Sequence, residues 1–249
     1  MTTQKKNISG NHAVIIGSTG GIGEAITKKI SDLKSYKKIY TFNRSNIRAP
    51  IKNTENFFLD LKDEESISEA SNLLSSRNDK IDLLIICTGI LHDLDNIKPE
   101  KTWNEINYKS FNDVMLINAI GPALIAKYFI PHFEKNKKGL FSAISAKIGS
   151  IEDNKLGGWY SYRASKAALN MTIKNLSIEA SYKRPNIIFS ALHPGTVNTK
   201  LSKPFQSSSY KKKVFSPSES ADYLINVLSK LTVKDSGKLV SWDGSIIPY

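Results

Sequence analysis

The chain has 249 residues, one cysteine and a formal net charge of +12. That length suits one α/β domain whose core needs no covalent staples, and the lone Cys87 excludes an internal disulfide framework and a cysteine-based zinc site. The scattered His12, His92, His132 and His193 offer no pair at ligand spacing, no apolar run is read as reaching the ~18 residues of a membrane span, and the first residues lack the apolar stretch of a signal peptide; a metal-free, cytoplasmic protein is expected.

The basic excess would suit a nucleic acid or an anionic membrane. The only tight basic run, however, is Lys211-Lys212-Lys213, with no recognition helix or stacking platform beside it. Neither nucleic acid nor membrane is the expected partner. A basic mouth that attracts a phosphorylated cofactor accounts for part of the charge.

Residues 12–17 read as a short apolar run before glycines, a strand buried on both faces. Gly17-Ser18-Thr19-Gly20-Gly21-Ile22-Gly23 follows, and residues 24–30 continue at helical spacing. Strand, glycine turn, helix is the context in which such a turn holds a pyrophosphate. The glycines permit a tight turn and close backbone approach, and the helix N-terminus is partially positive. Gly17, Ser18, Thr19, Gly21, Ile22 and Gly23 are candidate cofactor contacts, against a purely structural turn. A second strand, residues 38–42, runs into Asn43-Arg44-Ser45. An acid there would bind the free ribose hydroxyl of NAD, an arginine the phosphate of NADP. Arg44, with Asn43 beside it, argues for NADP(H) over NAD(H), unless it is a solvated loop arginine.

Residues 56–61 form a third expected strand, ending at Asp60-Leu61. Asp60 could accept from an adenine amino group or open the next helix, since Asp63, Glu64 and Glu65 make an acidic first turn. That helix spans 66–75 with Ile67, Ala70, Leu73 and Leu74 inward. Residues 81–86 read as a central strand entering Cys87-Thr88-Gly89, at the sheet edge where ligands collect. Cys87 reads as a buried inert thiol. A loop over 91–101 precedes a long apolar helix over 111–133 that contains Asn118, Gly121 and Pro122. An amide at 118 must be hydrogen-bonded, either by the core or by a site.

A fifth strand over 139–145 ends at Ser145, and a loop over 146–159 leads to a helix running to about residue 181. Ala167, Ala168, Leu169, Thr172, Leu176 and Ile178 are available for its packing. A sixth strand, 187–192, meets the turn His193-Pro194-Gly195-Thr196-Val197-Asn198-Thr199. Residues 202–216 read as a lid or binding loop, and residues 218–219 start a last helix over 221–231. Residues 238–242 form a seventh strand. The alternation predicts a single doubly wound Rossmann domain over 1–249, α/β, with a seven-stranded parallel sheet flanked by helices.

Tyr162-Arg163-Ala164-Ser165-Lys166 places a phenol and an ammonium one turn apart on a helix face. A nearby positive charge favours the phenolate, so Lys166 is expected to acidify Tyr162. With these motifs in order, the chain resembles the short-chain dehydrogenase/reductase family over nearly its whole length, and most of all its C-factor-like and sniffer-like carbonyl reductases. Gly17-x-x-x-Gly21-x-Gly23, Asn118, Tyr162-x-x-x-Lys166 and Pro194-Gly195 carry the resemblance, as do the run from Gly157 to Asn170 and the ending Trp242-Asp243-Gly244.

The resemblance implies an NADP(H)-dependent reductase of a small carbonyl compound, or a dehydrogenase of the alcohol, with Tyr162 as general acid. Lys166 would hold the nicotinamide ribose, Asn118 would position a relay water, Cys87, Thr88 and Gly89 would pass along the cofactor, and Pro194, Gly195, Val197 and Thr199 would hold its carboxamide side. Members often pair through the helix bearing Tyr162, so a homo-oligomer is expected. Two departures stand out. The family's Asn-Asn-Ala-Gly is here Ile86-Cys87-Thr88-Gly89, and the second serine of Ser-Ser-x-x-Gly falls on Ala146. Ser145, Ser150 or a water is left to replace the lost donor. That loss, together with the C-factor resemblance, also admits a cofactor-binding regulatory protein with weak turnover.

Overall fold

In the computed structural model, residues 8–45, 51–93, 96–206 and 213–249 are described. Lys211 and Lys212 of the basic run lie outside them. Among the described residues, ten strands and six α-helices follow in chain order: β1 (Gly10–Ile16), α1 (Gly21–Asp32), β2 (Tyr36–Asn43), β3 (Thr54–Phe58), α2 (Glu64–Ser76), β4 (Leu83–Ile86), α3 (Tyr108–Met115), α4 (Gly121–Phe129), β5 (Gly139–Ile144), α5 (Tyr160–Lys183), β6 (Ile187–His193), β7 (Thr196–Val197), β8 (Val214–Phe215), α6 (Pro217–Lys230), β9 (Lys238–Ser241) and β10 (Ile246–Ile247).

Eight strands form one sheet in the order β10-β9-β6-β5-β4-β1-β2-β3, with β7 and β8 paired apart from it. The seven expected strands are all present and parallel; β10 adds an antiparallel edge, which corrects the count of seven. Two residues are too short to show a period of two. The inner strands are apolar on both faces, as a sheet covered on both sides requires. In β1, Val14 and Ile16 face a core shared with Phe129, Phe141, Phe189 and Ile173, while Ala13 and Ile15 face one shared with Ile26, Ile30, Leu224 and Leu228. Helices α2, α4 and α5 cover the first face, α1 and α6 the second.

Residues 108–132 form a continuous helical stretch of 25 residues that contains an 18-residue window of mean hydropathy 1.5, long and apolar enough to cross a membrane. The expectation that no run reaches that length is corrected here. Val114, Ile125, Ala126 and Phe129 instead bury into the protein, and α3 and α4 pack on α5 and α2. The stretch is not regular: Leu116–Ile120 widens into a π-turn. Pro122 follows, and it has no N–H to bond the carbonyl four residues back, that of Asn118. A break in the ladder is therefore already imposed there by sequence.

On α5 the buried positions are Tyr162, Lys166, Leu169, Ile173 and Ala180, interleaved with Ser161, Ser165, Asn170 and Ser177. Of the residues expected to pack, Leu169 does so fully, while Ile178 is exposed. The inner face of α5 is half polar because its N-terminal half serves a site rather than a core.

Candidate active site

The C-terminal ends of β1, β2, β4, β5 and β6 open into one cleft. Its larger part has a volume of about 1590 Å³ and runs from the glycine turn past Tyr162 and Lys166 to Pro194–Thr199. A second part of about 530 Å³ reaches Asn43, Arg44, Asp60 and Leu61. Both share Thr19, Gly20, Cys87, Thr88 and Gly89, so they are continuous. A strand-end crevice of this shape is where open α/β sheets take dinucleotides.

The glycine turn is built for close approach. Gly17 has φ +84°, and a Cβ on Gly23 would lie 2.2 Å from the Gly17 carbonyl oxygen. Gly23 thus lets α1 start against the turn without itself lining the cleft. The N-cap of α1, Gly20, offers no side-chain cap, which leaves first-turn N–H donors for an anion. Gly21 and Ile22 line the same wall, opposite Thr199. Ser18 and Asn43 line the cleft and also brace it: the Asn43 amide donates to Ser18 Oγ at 2.8 Å and its oxygen accepts from Thr19 N at 3.0 Å.

At the far end, Arg44 is exposed at the end of β2 and has no ion pair among the described residues. Asp60 accepts from Lys62 N at 3.0 Å, while the N-cap of α2 is Asp63. Asp60 therefore does not cap the helix, and it lines the cleft beside Leu61. On the floor, burial pushes the Cys87 thiol up to about 12, so it carries no thiolate near neutral pH. Thr88 Oγ1 is buried without a partner among the described residues. A buried hydroxyl in that state is costly unless a ligand satisfies it. The uncapped helix end, the glycine cradle and this orphan hydroxyl together fit a phosphorylated dinucleotide.

Tyr162, Lys166 and Asn118 are 7%, 2% and 1% exposed. The Tyr162 hydroxyl has no hydrogen-bond partner among the described residues, and Lys166 Nζ lies 5.8 Å from its ring centroid. Lys166 Nζ donates to the Ile144 carbonyl at 2.9 Å. Burial lowers its pKa to about 8 and raises that of Tyr162. The expectation of a lysine-acidified phenol is corrected: desolvation acts on both groups and favours both neutral forms.

Asn118 sits in the π-turn and is fully engaged as a donor, to the Ile90 carbonyl at 2.8 Å and Ser165 Oγ at 3.0 Å. Its oxygen accepts from Ile90 N at 2.8 Å and retains one lone pair. A Cβ on Gly89 would lie 3.4 Å from Lys166 Nζ and 3.5 Å from Asn118 Oδ1, so the bare glycine keeps these groups open to one another.

Ser145 does not join this group as a donor. Its Oγ donates to Asn170 Oδ1 at 2.7 Å, toward α5. Ser145 and Ala146 both line the cleft, but the Ser145 hydroxyl is committed to Asn170 and Ala146 has none to offer. Ser150 is buried and its Oγ accepts from Asp153 N. Beyond the glycine turn, Pro194 accepts from Ser220 Oγ at 2.9 Å and Gly195 has φ +77° with Phe215 packed where a Cβ would be. Val197 and Thr199 are tied to Ser202. The sequence placed the substrate pocket among the loops 91–101, 150–159 and 200–216, and Leu91, Trp159 and Phe205 of those loops line the cleft. It overlooked Arg163 and His193; Arg163 directly follows Tyr162, and that was the available signal.

The model of the short chain dehydrogenase family matches residues 11–209. An uncharacterized oxidoreductase of Schizosaccharomyces pombe is 28% identical, with 94% of this chain and 96% of that protein covered. The C-signal protein of Myxococcus xanthus is 27% identical over 66% of this chain and 96% of its own. Among solved structures, an NADPH-bound carbonyl reductase from chicken fatty liver superposes with a TM-score of 0.85 at 24% identity, covering 99% of this chain and 97% of that one.

Proposed function

Because the chain belongs to the short-chain dehydrogenase family, we propose that it is an NADP(H)-dependent oxidoreductase that reduces a small carbonyl compound, or oxidises the alcohol, with Tyr162 as general acid or base. The observation that carries this reading is an unpartnered phenol and a buried ammonium meeting on one cleft with a glycine-lined turn. A bound nicotinamide supplies or accepts the hydride. Tyr162 gives its proton to the carbonyl oxygen as negative charge develops there. Its raised pKa keeps that proton in place at neutral pH, and an alkoxide is basic enough to take it.

Lys166 holds its ammonium at the cleft floor, anchored by the Ile144 carbonyl, with donors left for ribose hydroxyls. The free lone pair of Asn118 positions a water on the proton path. Arg44, with no acid at the end of β2, selects the ribose phosphate of NADP(H) over NAD(H). We also infer a homo-oligomer: Met171, Ile178 and Tyr182 are exposed along one side of α5, and a second copy of the chain would cover them.

One observation favours a second reading. Ser145 lines the cleft but its hydroxyl is committed to Asn170 Oδ1, Ala146 has no hydroxyl and Ser150 does not line the cleft; a missing oxyanion donor typically costs about 2.7–4 kcal/mol of transition-state stabilisation. A regulatory protein that binds cofactor and turns over weakly would tolerate that loss, and the C-signal relative fits it. A panel of aldehydes and ketones at fixed NADPH, with NADPH binding titrated separately, decides between them. Turnover of a panel member supports the reductase; tight binding with no turnover supports the regulator.

A further inference from the structure

The cleft wall beside Tyr162 contains a segment that the proton and hydride chemistry does not use. Gly157, Gly158 and Trp159 follow one another in left-handed backbone, with φ of 66°, 64° and 51°. Glycine adopts that conformation freely, but the Cβ of a tryptophan crowds its own backbone there. A non-glycine residue stays in it only where its surroundings hold it.

The surroundings do so from two sides. Trp159 N donates to the Glu100 carbonyl at 2.5 Å. Glu100 is 2% exposed, accepts from Ser161 N through Oε2 at 3.2 Å and leaves Oε1 without a partner among the described residues. On the other side, Arg163 Nε donates to the carbonyls of Gly157 at 3.2 Å and Gly158 at 2.9 Å, and Nη1 to that of Ile148 at 3.3 Å. A buried carboxylate and a guanidinium thus clamp one turn. What the clamp fixes is the indole: its ring centroid lies 6.3 Å from that of Tyr162 and 4.8 Å from that of Phe205. Trp159 and Phe205 both line the cleft, from chain segments far apart in sequence. Their planes meet at 58°, so a flat ring lying on one presents its edge to the other, the two arrangements aromatic pairs favour.

We propose that Trp159 is a specificity-determining residue, and that with Phe205 it forms a stacking face for the aromatic ring of an aryl carbonyl substrate. The inference rests on the reductase reading above. It takes the substrate class from carbonyl compounds in general to those with an aromatic ring next to the reacting carbon.

The test compares kcat/KM for acetophenone and cyclohexyl methyl ketone at saturating NADPH, in wild type, Trp159→Leu and Trp159→Phe. The two ketones match in size and differ in their π-system, and comparing variants cancels their intrinsic reactivity. The acetophenone preference is expected to fall by about two- to tenfold in Trp159→Leu, through KM, and to return in Trp159→Phe. NADPH titration reports that each variant is folded. An unchanged preference in Trp159→Leu overturns the inference and leaves the reductase reading standing. If wild type reduces neither ketone, tryptophan fluorescence decides the inference alone, and the reductase reading fails only where no member of the wider aldehyde and ketone panel is turned over. Quenching by acetophenone that is absent with cyclohexyl methyl ketone and absent in Trp159→Phe upholds it; equal quenching by both ketones, or quenching kept in Trp159→Phe, overturns it.

Discussion

Lys166 carries an ammonium that is 2% exposed and anchored by one carbonyl. Moving its pKa from 10.5 to about 8 corresponds to about 3 kcal/mol against the charged form. The unfolded chain keeps that proton up to its higher pKa. Wild type therefore bears the full penalty below about pH 8, and the penalty fades as pH approaches 10.5. Lys166→Met is expected to stabilise the cofactor-free protein by up to about 3 kcal/mol at neutral pH, and by much less near pH 10. Urea unfolding at the two pH values checks this; a variant less stable than wild type at both would contradict it. Arg44 gives a second test at this scale. Arg44→Asp is expected to weaken NADPH binding by at least about tenfold while leaving NADH binding little changed. Equal weakening in a fluorescence titration would remove the phosphate from the argument. Tyr162 and Lys166 were legible in sequence because their spacing puts them on one helix face, Arg44 because it follows a strand end, and Asn118 only through the family resemblance. The engagement of the Ser145 hydroxyl by Asn170, and the balance between burial and charge at Tyr162, were not, since both depend on packing that no local pattern encodes.

At the level of elements, the glycine turn shows why its spacing matters. A Cβ on Gly23 would collide with the Gly17 carbonyl oxygen at 2.2 Å, and backbone cannot retreat as a side chain can. Gly23→Ala should cost about 1–3 kcal/mol and weaken NADPH binding together with stability. Thermal melts with and without NADPH test this, and unchanged binding would show that the turn does not hold the pyrophosphate. The turn and both flanking elements were readable because strand, glycines and helix are each local signals. The π-turn at Leu116–Ile120 was not, because one extra residue barely alters apolar periodicity, although Pro122 marked the break. The start of α6 was readable and overlooked: Ser216 and Glu219 form a capping box around Pro217, two residues before the start that the sequence suggested.

For the molecule as a whole, a parallel sheet covered on both faces was reachable from the alternation of strands and helices, and the cleft follows from where the strands end. The outer side of α5 concerns a further copy of the chain. Met171, Ile178 and Tyr182 are exposed there, spaced so that they share one side of the helix. Sedimentation velocity is expected to show a dimer or larger assembly, shifted toward monomer by Ile178→Asp with Tyr182→Asp; a wild-type monomer at all concentrations would contradict it. The central claim is that the Tyr162 hydroxyl delivers the proton in a cleft that already holds NADPH. Its most direct test is single-turnover oxidation of bound NADPH by a reducible ketone in wild type and Tyr162→Phe. The rate is expected to fall by about a hundredfold or more with NADPH affinity within about twofold, whereas a variant that binds NADPH and turns over at the wild-type rate would contradict the assignment.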